Sequence, residues 1–259
     1  PVPILIWHSH EIVFGVVAAA IAGFMLTAIC TWTGCSPLTN YRLCTFVLVW
    51  LAGRIAMFFP ALLNAGLVAF FDLLFFALLF VYVSTILIRY KNWRNLPMSA
   101  LLLLFLSANI LIHWGMIYSD ITIANIGKLL SLDILMLMLV FIGGRIIPAF
   151  TGNWLFRAGY NKDKVRSAKS LDIASITLTV LIIPAEFLPL AVPFNAVIPL
   201  AASFFLLLRL QGWQGWLCWK EPLLWILHLA YFWLVLAIFL KGLTPLISSV
   251  TSSVWIHAL

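Results

Sequence analysis

Two histidines and a glutamate stand together near the start of the chain, where a long apolar segment begins. His8, His10 and Glu11 lie in the sequence WHSHE (residues 7–11), directly before the apolar run 12–29. Ionisable side chains at a membrane boundary are costly to keep there, and they often mark a functional site. Imidazole nitrogens can ligate a metal, and a carboxylate can be a further ligand or can orient a histidine. Because residues i and i+2 point apart on a helix, a metal shared by His8 and His10 requires a non-helical chain here.

The same residues can instead cap a membrane helix. In that interpretation Ser9 is the N-cap, Glu11 lies near the positive helix end, and both histidines are exposed to water. The motif alone leaves both interpretations open.

The composition indicates a membrane protein. Hydrophobic residues make up 64% of the chain and charged residues 9%, and the mean hydropathy is +1.13. The apolar runs have the length of membrane helices and lack the short alternating strands of a β-barrel, so the sequence predicts an all-α, polytopic transmembrane helix bundle. The net charge of +7 is confined to a few loops, which excludes nucleic acid as an expected partner.

Charges, prolines and polar clusters divide the chain into eight complete spans and one truncated span. The predicted spans are 12–29, 42–59, 61–88, 96–117, 122–147, 170–188, 194–212, 222–240 and the truncated 246–259. The last run is shorter than the roughly 20 residues that cross a bilayer, and the chain opens on Pro1 without a methionine. We therefore expect residues 1–259 to be one transmembrane domain, incomplete at both ends, from a larger protein.

The basic residues predict an orientation. Twelve of the fifteen flank alternate connections: Arg42, Arg89, Lys91, Arg94, Arg145, Arg157, Lys162, Lys164, Arg166, Lys169, Arg209 and Lys220. The opposite connections hold only Lys241. The positive-inside rule places the basic loops, including the long loop 151–170, in the cytoplasm and the His8 end on the outer face.

The four cysteines all fall at predicted cytoplasmic ends. Because thiols are kept reduced there, we expect no disulfide framework among Cys30, Cys35, Cys44 and Cys218. Cys30 and Cys35 can bind the soft ion Cu(I), or they can serve as small apolar side chains in the packing.

Several polar side chains lie within the outer halves of the spans. Arg54 and Asp72 have similar depths in adjacent spans, which predicts a buried ion pair or a site for an anionic group such as a haem propionate. Asn109 and His113 share one face of the fourth span, where His113 can reach the level of His8 and His10. Glu186 lies deeper and has no evident partner in the sequence.

Two more histidines, His228 and His257, lie well inside predicted spans. At about 1.5 Å per residue, His228 is about 9 Å deep from one side and His257 about 18 Å deep from the other, in a core of about 30 Å. The pair can therefore ligate one haem from both sides, or haem iron and a nearby copper. The alternative is that each ring forms hydrogen bonds to neighbouring helices. The chain has no CxxCH motif, so any haem is held non-covalently.

Stretches along the whole chain resemble the NnrS family, the haem- and copper-containing membrane proteins of the bacterial nitric oxide response. They are WHSHE with Phe14-Gly15, AGFMLTA (22–28), WTG (32–34), LAGR (51–54), NWRN (92–95), GGRIIPAFT (143–151) with Asn153, Leu227-His228 and HAL (257–259). The chain departs from the family pattern at Ile12, where methionine is usual, and at Thr31, where asparagine is usual.

The resemblance implies a twelve-helix bundle of the bacterial inner membrane, of which this chain is a part. It implies a non-covalent, b-type haem and copper, with nitric oxide as the small-molecule partner and protection against nitrosative stress as the function. The candidate metal residues are His8, His10, Glu11 and His113, and the candidate haem-binding residues are His228, His257, Arg54 and Arg145. A catalysed reaction is not implied.

The competing hypothesis is a membrane transporter of a small ion or a metal such as copper. Such a protein favours broken helices in two related halves, whereas a metal site needs histidines that converge at one depth. The sequence shows no matching halves.

Overall fold

The computed structural model describes residues 4–60, 62–161, 165, 168–188 and 192–259, and these residues form helices, turns and short connections without a strand. Eight of the helices are long and apolar enough to span a membrane. The prediction of an all-α, polytopic membrane bundle is confirmed.

Nine helices are present in the described residues. They are α1 (Ile4–Thr33), α2 (Asn40–Phe58), α3 (Ala65–Arg89), α4 (Leu96–Tyr118), α5 (Ile121–Arg157), α6 (Lys169–Phe187), α7 (Val192–Gly212), α8 (Pro222–Leu243) and α9 (Ser252–Ala258). Short 3-10 turns occupy Trp93–Asn95 before α4 and Gly215–Cys218 before α8.

Local sequence signals explain several helix ends. Gly34 has a φ of +73°, which glycine adopts without strain, and it ends α1. The side chain of Asn64 accepts a hydrogen bond from the N–H of Leu67 at the start of α3. Asp120 accepts the N–H of Thr122 in the same way at the start of α5.

Two helix boundaries differ from the prediction. Helix α1 begins at Ile4 and not at Ile12, so the WHSHE motif lies inside the helix. Helix α5 runs past Pro148 to Arg157, since membrane helices tolerate proline when neighbouring groups satisfy the freed carbonyl. The predicted long loop is therefore shorter than 151–170. Its residues Lys162, Lys164 and Arg166 lie outside the described part of the chain.

The last predicted span, 246–259, is helical only in α9, because turns occupy the residues after Thr244. His257 is only five residues from the start of α9, about 8 Å along the axis at about 1.5 Å per residue. The predicted depth of His257 assumed a continuous helix, so it does not hold.

The chain divides into two compact units, Pro1–Ile134 and Leu135–Leu259, and α5 contributes to both. In the first unit α3 packs against α1, α2 and α4. Three buried phenylalanines fill its centre: the ring of Phe14 lies 4.7 Å from that of Phe105, and the ring of Phe76 lies 5.2 Å from that of Phe105. A single domain over the whole chain remains a prediction.

In the second unit α7 packs between α6 and α8, and α9 packs on α8. The indole of Trp213 is fully buried and lies 4.7 Å from the ring of Tyr231. This contact joins the end of α7, the helix that carries Arg209, to α8, which carries His228.

Candidate metal centre

Three side chains from three helices of the first unit converge on one buried point. His10 comes from α1, Asp72 from α3 and His113 from α4, and the ligand atoms that they offer all lie within 4.8 Å of one another. All three residues are buried, with at most 3% of their surface exposed. Buried ionisable groups persist only where partners compensate the loss of water, so this cluster is the first candidate for a functional site.

One carboxylate oxygen, Oδ2 of Asp72, is the centre of the cluster. It lies 2.8 Å from Nε2 of His113 and 3.1 Å from Nε2 of His10. The fully buried amide of Asn109 donates to the same oxygen at 2.7 Å, while its Oδ1 lies 3.0 Å from Nε2 of His10. Asn109 and His113 are one turn apart on α4, so the prediction that they share a face is confirmed.

A second carboxylate and a guanidinium surround this centre. Oε1 of Glu11 lies 3.1 Å from Nδ1 of His10 and accepts a hydrogen bond of 2.7 Å from Arg54. The other terminal nitrogen of Arg54 contacts Oδ1 of Asp72. The predicted Arg54–Asp72 ion pair is confirmed, and Arg54 holds two carboxylates at once.

The backbone brings these side chains together through close packing and a change of helical register. A Cβ at Gly53 would lie 3.1 Å from the Cα of Asp72, so a glycine at this position lets α2 approach α3 where Arg54 meets Asp72. Within α1, residues Glu11–Val17 form a π-helical segment that begins directly after His10. Such segments are frequent at functional sites. Phe14, in this segment, packs its ring 5.2 Å from the imidazole of His10.

The imidazole of His10 faces more acceptor atoms than a neutral ring can donate to. Nδ1 of His10 faces the Glu11 carboxylate, and Nε2 of the same ring faces both Asp72 and Asn109 oxygens. A neutral imidazole has one N–H, so it can donate at only one of its two nitrogens. With neutral histidines, Glu11 and Asp72 supply two negative charges and Arg54 one positive charge. A proton on an imidazole or on a carboxylate, or a bound metal ion, would balance this charge.

The two separations from Oδ2 of Asp72 suit either hydrogen bonds or a shared metal ion. Two ligand atoms that each lie about 2.1 Å from an ion, at about 90° to one another, are about 3 Å apart. The separations from Oδ2 of Asp72 to the two imidazole nitrogens, 2.8 and 3.1 Å, match this value. Two imidazoles and one carboxylate suit copper, zinc or iron. The carboxylate of Glu11 on Nδ1 of His10 is the usual outer partner of a ligating histidine.

The WHSHE motif divides its residues between the cluster and the surface. His10 and Glu11 belong to the cluster, whereas His8 is exposed, because residues two apart on a helix point in different directions. The structure thus places His113 and Asp72, and not His8, beside His10. Ser9 is not an N-cap, since it lies inside α1 and its hydroxyl donates to the carbonyl of Ile6.

The remaining candidate residues lie in the second unit. Nδ1 of His228 is 2.9 Å from the Leu224 carbonyl, and Nε2 is 3.4 Å from the hydroxyl of Thr151. A Cβ at Gly215 would lie 2.4 Å from the His228 ring, so the backbone covers one face of this imidazole. The guanidinium of Arg145 lies 4.1 Å over the ring of Phe141. His257 is exposed on α9.

Sequence reasoning missed the part that Asp72 has in the cluster. The sequence placed Asp72 beside Arg54 at the correct depth, but nothing along the chain joined it to His10, which is 62 residues away. The predicted depths of Asp72 and His113 were the available signal, because both residues were expected at similar levels of spans that are adjacent along the chain.

Comparison with known proteins places the chain in one family. No curated protein and no solved structure matches the sequence. The family model described as NnrS protein matches residues 1–259, which is the full chain. The family suggested by the sequence motifs is thereby confirmed, and this protein belongs to the NnrS family.

Proposed function

We propose that the cluster of His10, Asp72 and His113 binds one copper ion, and that the protein uses this ion in the bacterial response to nitric oxide. The observation that carries the proposal is the buried convergence of two imidazole nitrogens on Oδ2 of Asp72. Membership of the NnrS family supports a membrane protein of the nitric oxide response.

Each residue of the cluster has a distinct part in this proposal. Nε2 of His10, Nε2 of His113 and Oδ2 of Asp72 hold the ion, and Glu11 fixes the His10 ring through Nδ1. Arg54 contacts both carboxylates and holds them in place. A bound copper ion supplies a coordination position that a small ligand such as nitric oxide can occupy.

An apolar cavity beside the cluster supports a small uncharged ligand. The cavity has a volume of about 810 Å³ and is lined by His113 together with apolar side chains that include Trp7, Met57, Phe58 and Met116. Nitric oxide enters such surroundings readily, whereas a path for a metal ion needs polar or charged lining groups. The cavity therefore favours the metal centre over the transporter hypothesis.

The haem rests on the family resemblance alone. In the structure Nε2 of His228 faces the Thr151 hydroxyl, and the backbone of Gly215 packs on the ring. His228, His257, Arg54 and Arg145 remain predicted haem-binding residues.

The proposed orientation places the copper site at the periplasmic face of the bacterial inner membrane. The support is the distribution of Lys and Arg, which flank the opposite ends of the spans. A cysteine that replaces Asn161 should react with an impermeant reagent only after the cells are opened. Reaction in intact cells would contradict the orientation.

Copper content tests the proposed site. Purified full-length protein should retain about one copper ion per chain at this site, and His113→Ala should lose it, because one of three protein ligands disappears. His8→Ala is the matched control, since His8 lies on the same helix as His10 but is exposed. The measurement is copper per protein by mass spectrometry, with haem absorption recorded on the same samples.

Two outcomes would overturn the proposal. Equal copper in the wild type and in a His10→Ala, His113→Ala double variant would place the ion elsewhere. Wild-type protein without copper after expression in copper-supplied cells would indicate that a proton balances the charge of the cluster, and it would leave the transporter hypothesis standing.

A further inference from the structure

The apolar cavity beside the histidine cluster is larger than a diatomic gas molecule requires. Its volume is about 810 Å³, and volumes of about 300–1,000 Å³ are typical of sites for small organic molecules and cofactors. All of the residues that line the cavity belong to the first compact unit. The cavity therefore has room for an organic ligand as well as for a gas.

The walls of this cavity carry no charge. No Asp, Glu, Lys or Arg of the described residues lines it. Trp7 and Phe58 contribute aromatic rings whose centroids lie 6.0 Å apart, and Met57 and Met116 contribute adaptable thioether side chains. The indole N–H of Trp7 already donates to the carbonyl of Met57 at 3.0 Å. A phosphate or an ionised carboxylate would find no counter-charge here, so the walls favour an uncharged ligand.

His113 contributes a buried polar group to the lining of the cavity. The residue is only 3% exposed, and its Nε2 is turned to Oδ2 of Asp72 at 2.8 Å. Within the part of the chain that the structure describes, no hydrogen bond reaches the other ring nitrogen, Nδ1. A buried nitrogen without a partner destabilises a protein. Nδ1 is therefore the atom that a polar group of a ligand in the cavity can satisfy.

The hydrogen-bonding capacity of Nδ1 narrows the class of ligand. When Nε2 donates its N–H to Asp72, a neutral ring leaves Nδ1 as an acceptor. When Nε2 holds a metal ion, Nδ1 carries the N–H and donates. A quinol offers an O–H group and a quinone offers a carbonyl, so this class of molecule can pair with Nδ1 in either case. A hydrocarbon chain can pair with it in neither.

We infer that the cavity binds the head group of a lipid-soluble quinone, as quinone or quinol, with Nδ1 of His113 as its hydrogen-bond partner. The ring is uncharged and aromatic, which suits walls formed by Trp7, Phe58 and thioethers. The inference concerns binding alone and includes no transfer of electrons. It goes beyond the function proposed above, and it does not require a metal ion at the cluster.

Titration with a short-chain quinone tests the role of His113. Full-length protein in detergent, freed of metal by a chelator, is titrated by calorimetry with decyl-benzoquinone and, separately, with decylbenzene, which lacks the oxygens. The wild type should bind one quinone per chain. His113→Ala should bind the quinone about 2- to 12-fold more weakly, which is the range for one neutral hydrogen bond. The same substitution should not weaken the binding of decylbenzene.

A matched pair of substitutions on α4 tests the place of binding. Ile117 lines the cavity and is 41% exposed, whereas Ile110, two helical turns earlier, is 44% exposed and is not part of the lining. Ile117→Trp should weaken quinone binding by about 10-fold or more, because the larger side chain fills space that the ligand needs. Ile110→Trp should bind as the wild type does. Thermal unfolding of both variants shows that they are folded.

Three outcomes would overturn the inference. Wild-type protein without saturable quinone binding would mean that the full-length chain has no such site. Equal binding by the wild type, His113→Ala and Ile117→Trp would mean that the quinone only partitions into the detergent. Decylbenzene bound as tightly as the quinone would identify a cavity for lipid chains. Copper content, measured before the chelator is added, reports on the proposed function separately, since quinone binding is expected with or without copper.

Discussion

The two units of the protein handle buried charge in different ways. In the first unit Arg54 serves two carboxylates, those of Glu11 and Asp72, and both carboxylates also face His10. In the second unit Arg209 pairs with Asp172 at 2.5 Å, and its guanidinium also contacts the Tyr231 hydroxyl. The first arrangement is short of one positive charge, whereas the second is balanced.

This difference separates a binding site from a structural contact. A balanced ion pair with satisfied donors needs no further ligand. A buried cluster with a net negative charge can take up a proton or a metal ion. The second unit also contains Lys241, which lies 2.9 Å from Glu186 and 4.1 Å from the ring of Trp255. The positive charges of Lys241 and Arg209 are therefore both paired with a carboxylate.

Replacement of the central carboxylate should have the largest effect. Asp72→Asn keeps the size of the side chain but removes the charge that two imidazoles share. We expect copper affinity to fall by more than about 100-fold, beyond the range for an outer-shell residue. Copper titration of detergent-purified protein measures the change. An affinity within threefold of the wild type would show that Asp72 is not a ligand.

Replacement of the outer carboxylate should have a smaller effect. Glu11→Gln preserves an oxygen near Nδ1 of His10 but weakens the interactions with this ring and with Arg54. The expected loss of copper affinity is about 10- to 100-fold. His8 is exposed and lies about one helical turn before Glu11, so His8→Ala should leave the copper affinity unchanged. Equal losses of copper affinity in Glu11→Gln and His8→Ala would mean that the loss comes from a disturbance of α1 and not from the missing carboxylate charge.

The matching change in the second unit should leave copper binding intact. Asp172→Asn removes the charge partner of Arg209, but carbonyl and hydroxyl contacts of the guanidinium remain. The free energy of unfolding should fall by about 1–3 kcal/mol, toward the lower value because Asp172 is 29% exposed. Denaturant unfolding measures this loss. A loss of copper in Asp172→Asn as large as the loss expected for Asp72→Asn would contradict the proposed difference between the two units.

The sequence predicted the membrane helices and one polar contact well. Long apolar runs are a strong signal, so eight spans were identified, and depth along two neighbouring spans predicted the pair of Arg54 and Asp72. The shared face of Asn109 and His113 followed from helical spacing. These features depend on local sequence or on the order of adjacent helices.

The remaining features depend on contacts between distant residues. The WHSHE motif was placed outside the membrane helix because its ionisable residues marked a boundary, yet partners on α2, α3 and α4 allow His10 and Glu11 to lie within it. Glu186 had no evident partner because Lys241 is 55 residues away and was assigned to a loop. No pattern along a single chain reports such pairs.

Electron paramagnetic resonance of the protein loaded with Cu(II) tests the central claim most directly, because it counts the imidazole nitrogens coupled to the metal. One ion held by His10, His113 and Asp72 predicts coupling to two nitrogens in the wild type and in His8→Ala. It predicts coupling to one nitrogen in His113→Ala. A wild-type spectrum without nitrogen coupling, or one that is unchanged in His113→Ala, would contradict the proposed copper site.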